Sequence, residues 1–359
     1  MSIDISSTSH EALLGVCLIL FMTLCLLTLT DKSRIQIIII VLIFSGLFQS
    51  IYGTLMTLTG TEYSVFMKKE SYLGVATGTF INRNHLAGYL VLCLCAGIGL
   101  MISKLGSGLR STIKYHTREI IRSVLGSKIL IRLALVMLVA GLVMTHSRMG
   151  NSAFFISLSI ASIITLLFHQ RSTKSMVLFF ITILVIDFFV VGSFFGVSKI
   201  AERLQNTTSA NESRDEVNSH SLAMIDNLDY SGSGAGSFYT LFPGYRTYDS
   251  GDGFYLHTHN DYLQFIIEYG LLPSIALFTG VVLVFIYALL ALRKRRSSLH
   301  IGIAFSSIMA IIAFAIHSTV DFNLQIPANA ATFMLLLSLG LISYHQPSTA
   351  IKRSRKFVR

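Results

Sequence analysis

The chain has 359 residues, of which 53% are hydrophobic and only 13% charged, and its mean hydropathy is +0.67. A soluble globular domain carries about a quarter charged residues, so that class is excluded. The net charge of +10 matters through where it lies along the chain and is not a nucleic-acid footprint.

Runs of roughly 20 apolar residues, each able to cross a hydrocarbon core of about 30 Å, predict an all-α polytopic helical membrane protein. Nine spans are read in order, at about 11–29, 35–57, 85–103, 129–145, 151–168, 175–196, 263–291, 299–320 and 328–345. The start, MSIDIS, lacks the basic segment of a cleaved signal peptide, so the first run is expected to be retained. Cys17, Cys25, Cys93 and Cys95 all lie inside apolar runs, which predicts small buried hydrophobes rather than disulfides or thiolate metal ligands. Basic residues crowd alternate loops: Lys32 and Arg34, the stretch from Lys104 to Arg132, Arg171 and Lys174, Arg293–Arg296, and the tail from Lys352 to Arg359. By the positive-inside bias those loops are cytoplasmic. The N-terminus and the loops near 58–84, 146–150, 197–262 and 321–327 then face outward. The chain thus divides into six helices (1–196), one large outer loop (197–262), three helices (263–345) and a basic tail (346–359).

Residues able to do chemistry gather on the outward side. Arg83, Asn84 and His85 stand in GTFINRNHLAGYL (78–90), and Arg148 in the short connection THSRMG (145–150). Arginines at outward helix ends run against the charge bias, and an unpaired cation there costs roughly several kcal/mol. Each wants an anion, either a carboxylate such as Asp321 or a diphosphate gripped in bidentate fashion; snorkelling to the interface is the plainer alternative. Asp187, inside the sixth span, is read as a helix–helix hydrogen-bonding residue. In the long loop, 202–226 can form an amphipathic helix, and YSGSGAGSF (230–238) is rich in turn formers. Its interleaved tyrosines (Tyr230, Tyr239, Tyr245, Tyr248, Tyr255) predict an ordered lid.

The loop ends in HTHNDYLQ (257–264). Asp261 and Gln264 have capping-box spacing, with Asp261 as the N-cap. His259 then precedes a helix whose positive end favours the neutral imidazole a general base requires, and that helix end is also an anion site. The break at GLLP (270–273) predicts a short half-helix of the kind that lines a cavity. His257, His259 and Asp261 would converge on one ion only in an extended strand, so no metal is expected.

Taken together, GTFINRNHLAGYL, the SRMG turn with its long outer loop, and HNDYLQFIIEYG (259–270) resemble the O-antigen ligase/polymerase superfamily, bacterial membrane glycosyltransferases that use undecaprenyl-diphosphate-linked glycans. His259-Asn260, nine residues, then Gly270 reproduces a signature of the family's periplasmic loop. Arg214, about twenty residues before Gly234, is similar to the family's loop arginine, Arg148 to its mid-chain arginine, and HSTVDFNLQIP (317–327) to a segment of its penultimate loop. The resemblance covers about residues 75–345, with fewer spans than relatives commonly have and without the glycine that often follows Gly270. It implies a GT-C-like fold and inverting transfer of a glycan from undecaprenyl diphosphate to a hydroxyl of a glycolipid, glycan or protein acceptor. The reaction would take place at the outer (periplasmic) face of the bacterial inner membrane, without metal or other cofactor and with no nucleic-acid partner. On that reading His259, Arg214 and Arg148 are catalytic, while Arg83, Asn84, His85, His257, Asn260 and Asp321 bind diphosphate or glycan. His259 acts either as base or as an orienter of the diphosphate. The motifs serve a ligase and a polymerase alike. A transporter would instead carry inverted repeats and midplane polar residues, and a non-catalytic polysaccharide-export component is the third reading; polar residues gathered on one face favour the enzyme.

Overall fold

The computed structural model describes residues 2–105, 127–169, 176–185, 208–227, 231–246 and 255–347. Among them, seven helices are long and apolar enough to cross a membrane: α1 (Ile5–Thr28), α2 (Lys32–Thr59), α3 (Arg83–Leu105), α5 (Arg148–Phe168), α10 (Leu271–Lys294), α11 (Ser298–His317) and α12 (Pro327–His345). Two shorter apolar helices, α4 (Ser127–Met144) and α6 (Met176–Val185), complete the membrane set. The helices outside that set are α7 (Thr208–Asn227), the single turn α8 (Phe238–Leu241) and α9 (Asp261–Tyr269). A two-stranded hairpin, β1 (Tyr63–Ser64) with β2 (Met67–Lys68), follows α2. The chain is an all-α polytopic membrane protein. The seventh expected span begins at Leu271 and not at 263, because Gly270 adopts φ +83° and breaks the helix into α9 and α10. Asp187 and residues 186–196 lie outside the described residues.

Polar side chains start the helices. Asp4 caps α1 by accepting from the Ser7 amide, Asp31 caps α2 through Arg34, and Ser147 caps α5 through Gly150. Each satisfies one of the amides a helix N-terminus leaves without an internal partner.

α3 is the axis of the bundle, and its membrane-crossing stretch is buried throughout. It packs on α11 through Gly99 and Gly302. A Cβ on either glycine would overlap the other helix's backbone, and one on Gly99 would also strike the Ser306 hydroxyl. Small residues let helices approach this closely in lipid, where no hydrophobic force drives them together. Gly46 against Cys93 joins α2 to α3, and Gly141 against Ser50 joins α4 to α2 in the same manner. All four cysteines are free thiols.

The two ends of the bundle differ. At one, Gln346 donates to the carbonyls of Leu29 and Thr30, His169 Nδ1 lies 3.4 Å from the Leu292 carbonyl, and Arg295 donates to the Tyr344 carbonyl. At the other, the beginnings of α1, α3 and α12 meet the loops that precede α9 and follow α11, and α5 begins against α3. The sequence motifs all map to this second end.

Candidate functional site

The site is built where α9 begins. Asn260 has extended backbone and its side-chain oxygen accepts from the amides of Tyr262 and Leu263, so Asn260 is the N-cap. This corrects the sequence-based assignment of Asp261 to that position. Asp261 is instead the first helical residue and is turned inward, accepting from Ser318 Oγ (2.8 Å), the Leu324 amide (3.1 Å) and Gln325 Nε2 (3.3 Å). Burial pushes its carboxyl up to about 7. The Asp261 amide donates to the Ser318 carbonyl and Asn260 Nδ2 to the Thr319 carbonyl. The start of α9 is therefore stapled to the segment between α11 and α12. Gln264 Oε1 reaches back to the Thr258 amide at 2.9 Å, which holds the approach loop against the helix.

His259 sits between these anchors with φ +54°, in the left-handed region. A non-glycine residue there is uncommon and persists where the surroundings fix it. Its ring faces the segment after α11, where Asp321 and Phe322 form the centre of a histidine cluster. Asp321, 1% exposed, lies 3.9 Å from His259 Nδ1 and 3.7 Å from His85 Nε2. Burial alone would raise its carboxyl, but the facing imidazoles of His259, His85 and His317 outweigh that and hold it well below the usual carboxylate range. The Phe322 ring packs against three imidazoles, with centroids 4.7 Å from His85, 4.5 Å from His257 and 5.0 Å from His259. Burial, aided by repulsion from His85 and His259, pushes His257 down to about 4, so that ring is neutral at ordinary pH.

The structure thus brings together His85, His257, His259, Asn260 and Asp321 from three separate stretches of chain. Asn84 is buried beside His85, and its amide donates to the Asn82 side chain. Arg83 opens α3 with its guanidinium 5.8 Å from the centre of the Tyr72 ring. Arg148 opens α5 at the same end and is exposed; Gly150, two residues on, abuts Ala87 of α3. Arg214 lies in α7, with its side chain outside the described residues. The sequence offers Asp321 as an anion for Arg83 and Arg148; the groups that face it are His85, His259 and His317. Phe322 and His317 were not singled out from the sequence. Their signal was already present in HSTVDFNLQIP, where they flank Asp321. Among the described residues no group of three or more His, Cys, Asp or Glu has the geometry to hold a metal ion.

Below the cluster, Glu268 holds the glycine-rich turn. Its Oε1 accepts from Gln264 Nε2 at 2.7 Å and from the Phe238 amide at 3.2 Å. The Gly234 amide donates to the Glu268 carbonyl and the Ser233 amide to that of Ile267. Gly232, at φ +72°, lies so close to Gly270 that no side chain fits. The chain's first residues close the arrangement: the Ile3 amide donates to the Ser233 carbonyl, Thr8 to the Ala235 carbonyl, and Thr240 to Asp4.

Burial pushes Glu268 up to about 7, so the folded state binds its proton more tightly than the unfolded chain does. That contribution is fully present below about pH 4.5 and is lost as pH rises through about 7, a span worth on the order of 3 kcal/mol. Glu268→Gln keeps an acceptor for Gln264 and Phe238 and removes the titration. The expected outcome is a shallower fall of the thermal midpoint between pH 5 and 7 than the parent protein gives in the same detergent.

Residues 133–278 match the family model described as O-antigen ligase. The match contains Arg148, Arg214 and the HTHNDYLQ stretch, and it supports the resemblance to the O-antigen ligase/polymerase superfamily. His85, Asp321 and Phe322 lie outside it. No curated protein matches the chain significantly.

Proposed function

With an O-antigen ligase segment over residues 133–278 as premise, we propose that the protein is a membrane glycosyltransferase. It moves a glycan from undecaprenyl diphosphate to an acceptor hydroxyl at the outer face of the bacterial inner membrane. The observation that carries this reading is the placement of His259, on a strained turn at the mouth of α9 with Nδ1 toward buried Asp321. A carboxylate on that side favours the Nδ1–H tautomer and leaves Nε2 with its lone pair. Nε2 takes the proton of the acceptor hydroxyl as the hydroxyl oxygen attacks the anomeric carbon. The bond from that carbon to the diphosphate oxygen breaks, the configuration inverts, and the diphosphate leaves with the bonding pair.

Arg148 and Arg214, with Arg83, bind the departing diphosphate and stabilise the charge that grows on it. A donor fixed in place for that charge is worth about 2.7–4 kcal/mol of barrier by analogy with oxyanion holes. Neutral His257, with His85 and Asn84, lines the glycan side. Asn260 commits its side chain to the cap and to Thr319, so it positions His259 rather than touching sugar.

The test is turnover by purified protein in lipid nanodiscs supplied with a polyprenyl-diphosphate oligosaccharide and candidate acceptors. Glycosylated acceptor should form together with free polyprenyl diphosphate. Growth of the lipid-linked chain in place of acceptor modification would assign the protein as a polymerase, and no turnover with any acceptor would overturn the enzyme reading.

A further inference from the structure

The hairpin between α2 and α3 has no place in the transfer chemistry, yet it is tightly braced. Lys69 Nζ pairs with Glu62 at 2.9 Å and donates to the Val75 carbonyl at 3.1 Å, while Glu62 also accepts from the Gly74 amide at 2.7 Å. Ser64 Oγ donates to the Gly78 carbonyl, and Val65 is held at φ +57°. This bracing presents an apolar tip: Val65 is 50%, Phe66 93% and Met67 72% exposed. Displaying three such side chains to water on a rigid turn is unfavourable.

The position of the tip says what covers it. Tyr52, within α2, donates its hydroxyl to the Tyr63 carbonyl (3.0 Å) and accepts from the Val65 amide (2.8 Å). Tyr52 lies seven residues before the end of α2 at Thr59, or about 10 Å at 1.5 Å per residue. The hairpin therefore folds back down the helix toward the membrane rather than projecting away from it. It comes down on the face of α2 that carries exposed Phe44, Phe48, Ile51 and Leu55, and Phe48 stacks on Tyr52 at 5.9 Å. That face is the one α2 offers to lipid. Exposed Lys68 and Tyr63 flank the tip, a basic and an aromatic residue of the types that sit at the headgroup level.

We propose that the Val65–Met67 tip is an interfacial membrane anchor: the three side chains sink into the leaflet at the site end of the bundle, and Lys68 meets lipid phosphates. Through Ser64–Gly78 and the Gln49–Thr79 hydrogen bonds, the anchor fixes the height of Arg83 and His85 above the lipid. The inference rests on the membrane class of the chain and on the hairpin's geometry, not on the transfer reaction.

The sequence contains no tryptophan, so Phe66→Trp introduces a single indole at the tip. Its emission is measured in nanodiscs lacking any polyprenyl lipid, with lipids brominated near the headgroup end of the acyl chains and, separately, with aqueous iodide. Ile19→Trp, at an exposed position within α1, serves as the membrane-embedded standard. The anchor is supported if brominated lipid removes more than half of the emission from Phe66→Trp and iodide quenches it less than brominated lipid does. Stronger quenching by iodide would place the tip in water and overturn the proposal. Quenching by neither would mean that protein, such as a second copy, covers the tip, and would overturn it equally.

Discussion

Replacing His259 with alanine should lower glycan transfer by about 10²–10⁴-fold, the usual contribution of a positioned general base, while the protein still inserts and folds. The ring is mostly buried, 5.0 Å from the Phe322 ring and 3.9 Å from Asp321, so its removal costs local contacts at the cluster but touches neither the α9 cap nor the bonds that hold Asp261. Alanine is, however, a poor occupant of φ +54°, where asparagine and histidine are tolerated better. His259→Asn therefore separates chemistry from backbone: it keeps the turn and lacks a base. Both variants should show that loss in the nanodisc assay with unchanged gel-filtration profiles. Transfer at the parent rate by His259→Asn would sink the assignment of the imidazole as proton acceptor.

A second large effect is expected from Gly302→Leu. The backbones of α3 and α11 touch at Gly99 and Gly302, and overpacking of a fitted core costs about 1–3 kcal/mol or more. Here the obstacle is backbone and has no rotamer to adopt, so the helices must splay. Detergent-extracted Gly302→Leu should aggregate on gel filtration or lose several degrees of thermal midpoint. Gly280→Ala, where a Cβ meets nothing within 4 Å, should behave as the parent. A monodisperse Gly302→Leu with the parent's midpoint would contradict the packing argument. Splaying would also reach the site, because α3 carries His85 in its first turn and α11 leads into Asp321.

The helical membrane class was legible in the sequence because span length and hydropathy are one-dimensional signals. The break at Gly270 was legible for the same kind of reason, since only a glycine followed closely by proline stood there. The capping of α9 was misread because Asp261-Tyr-Leu-Gln264 fits a local pattern as well as Asn260 does. What decided between them was tertiary: Ser318, Leu324 and Gln325 claim the Asp261 carboxylate. Phe322 as the hub of three imidazoles could not be read at all. The three histidines it touches come from two stretches that are distant from it in the chain, and nothing in the sequence ranks one phenylalanine above another. The hairpin tip was passed over because Val-Phe-Met between two spans looks like any loop until Tyr52 is seen to fold it back.

The clasp between residues 2–8 and the glycine-rich turn also bears on how the molecule is made. Thr8 is translated 227 residues before its partner Ala235, an interval of roughly 10–45 s at ribosomal rates of about 5–20 residues per second. For all that time the first helix can be in the bilayer while its exposed start has nothing to hold. Asp321 is translated later still, so a nascent chain carries His85 and His259 before it has the carboxylate they face. The histidine cluster is assembled only when the last pair of helices inserts, so a truncated or stalled chain lacks the arrangement on which the proposed transfer depends.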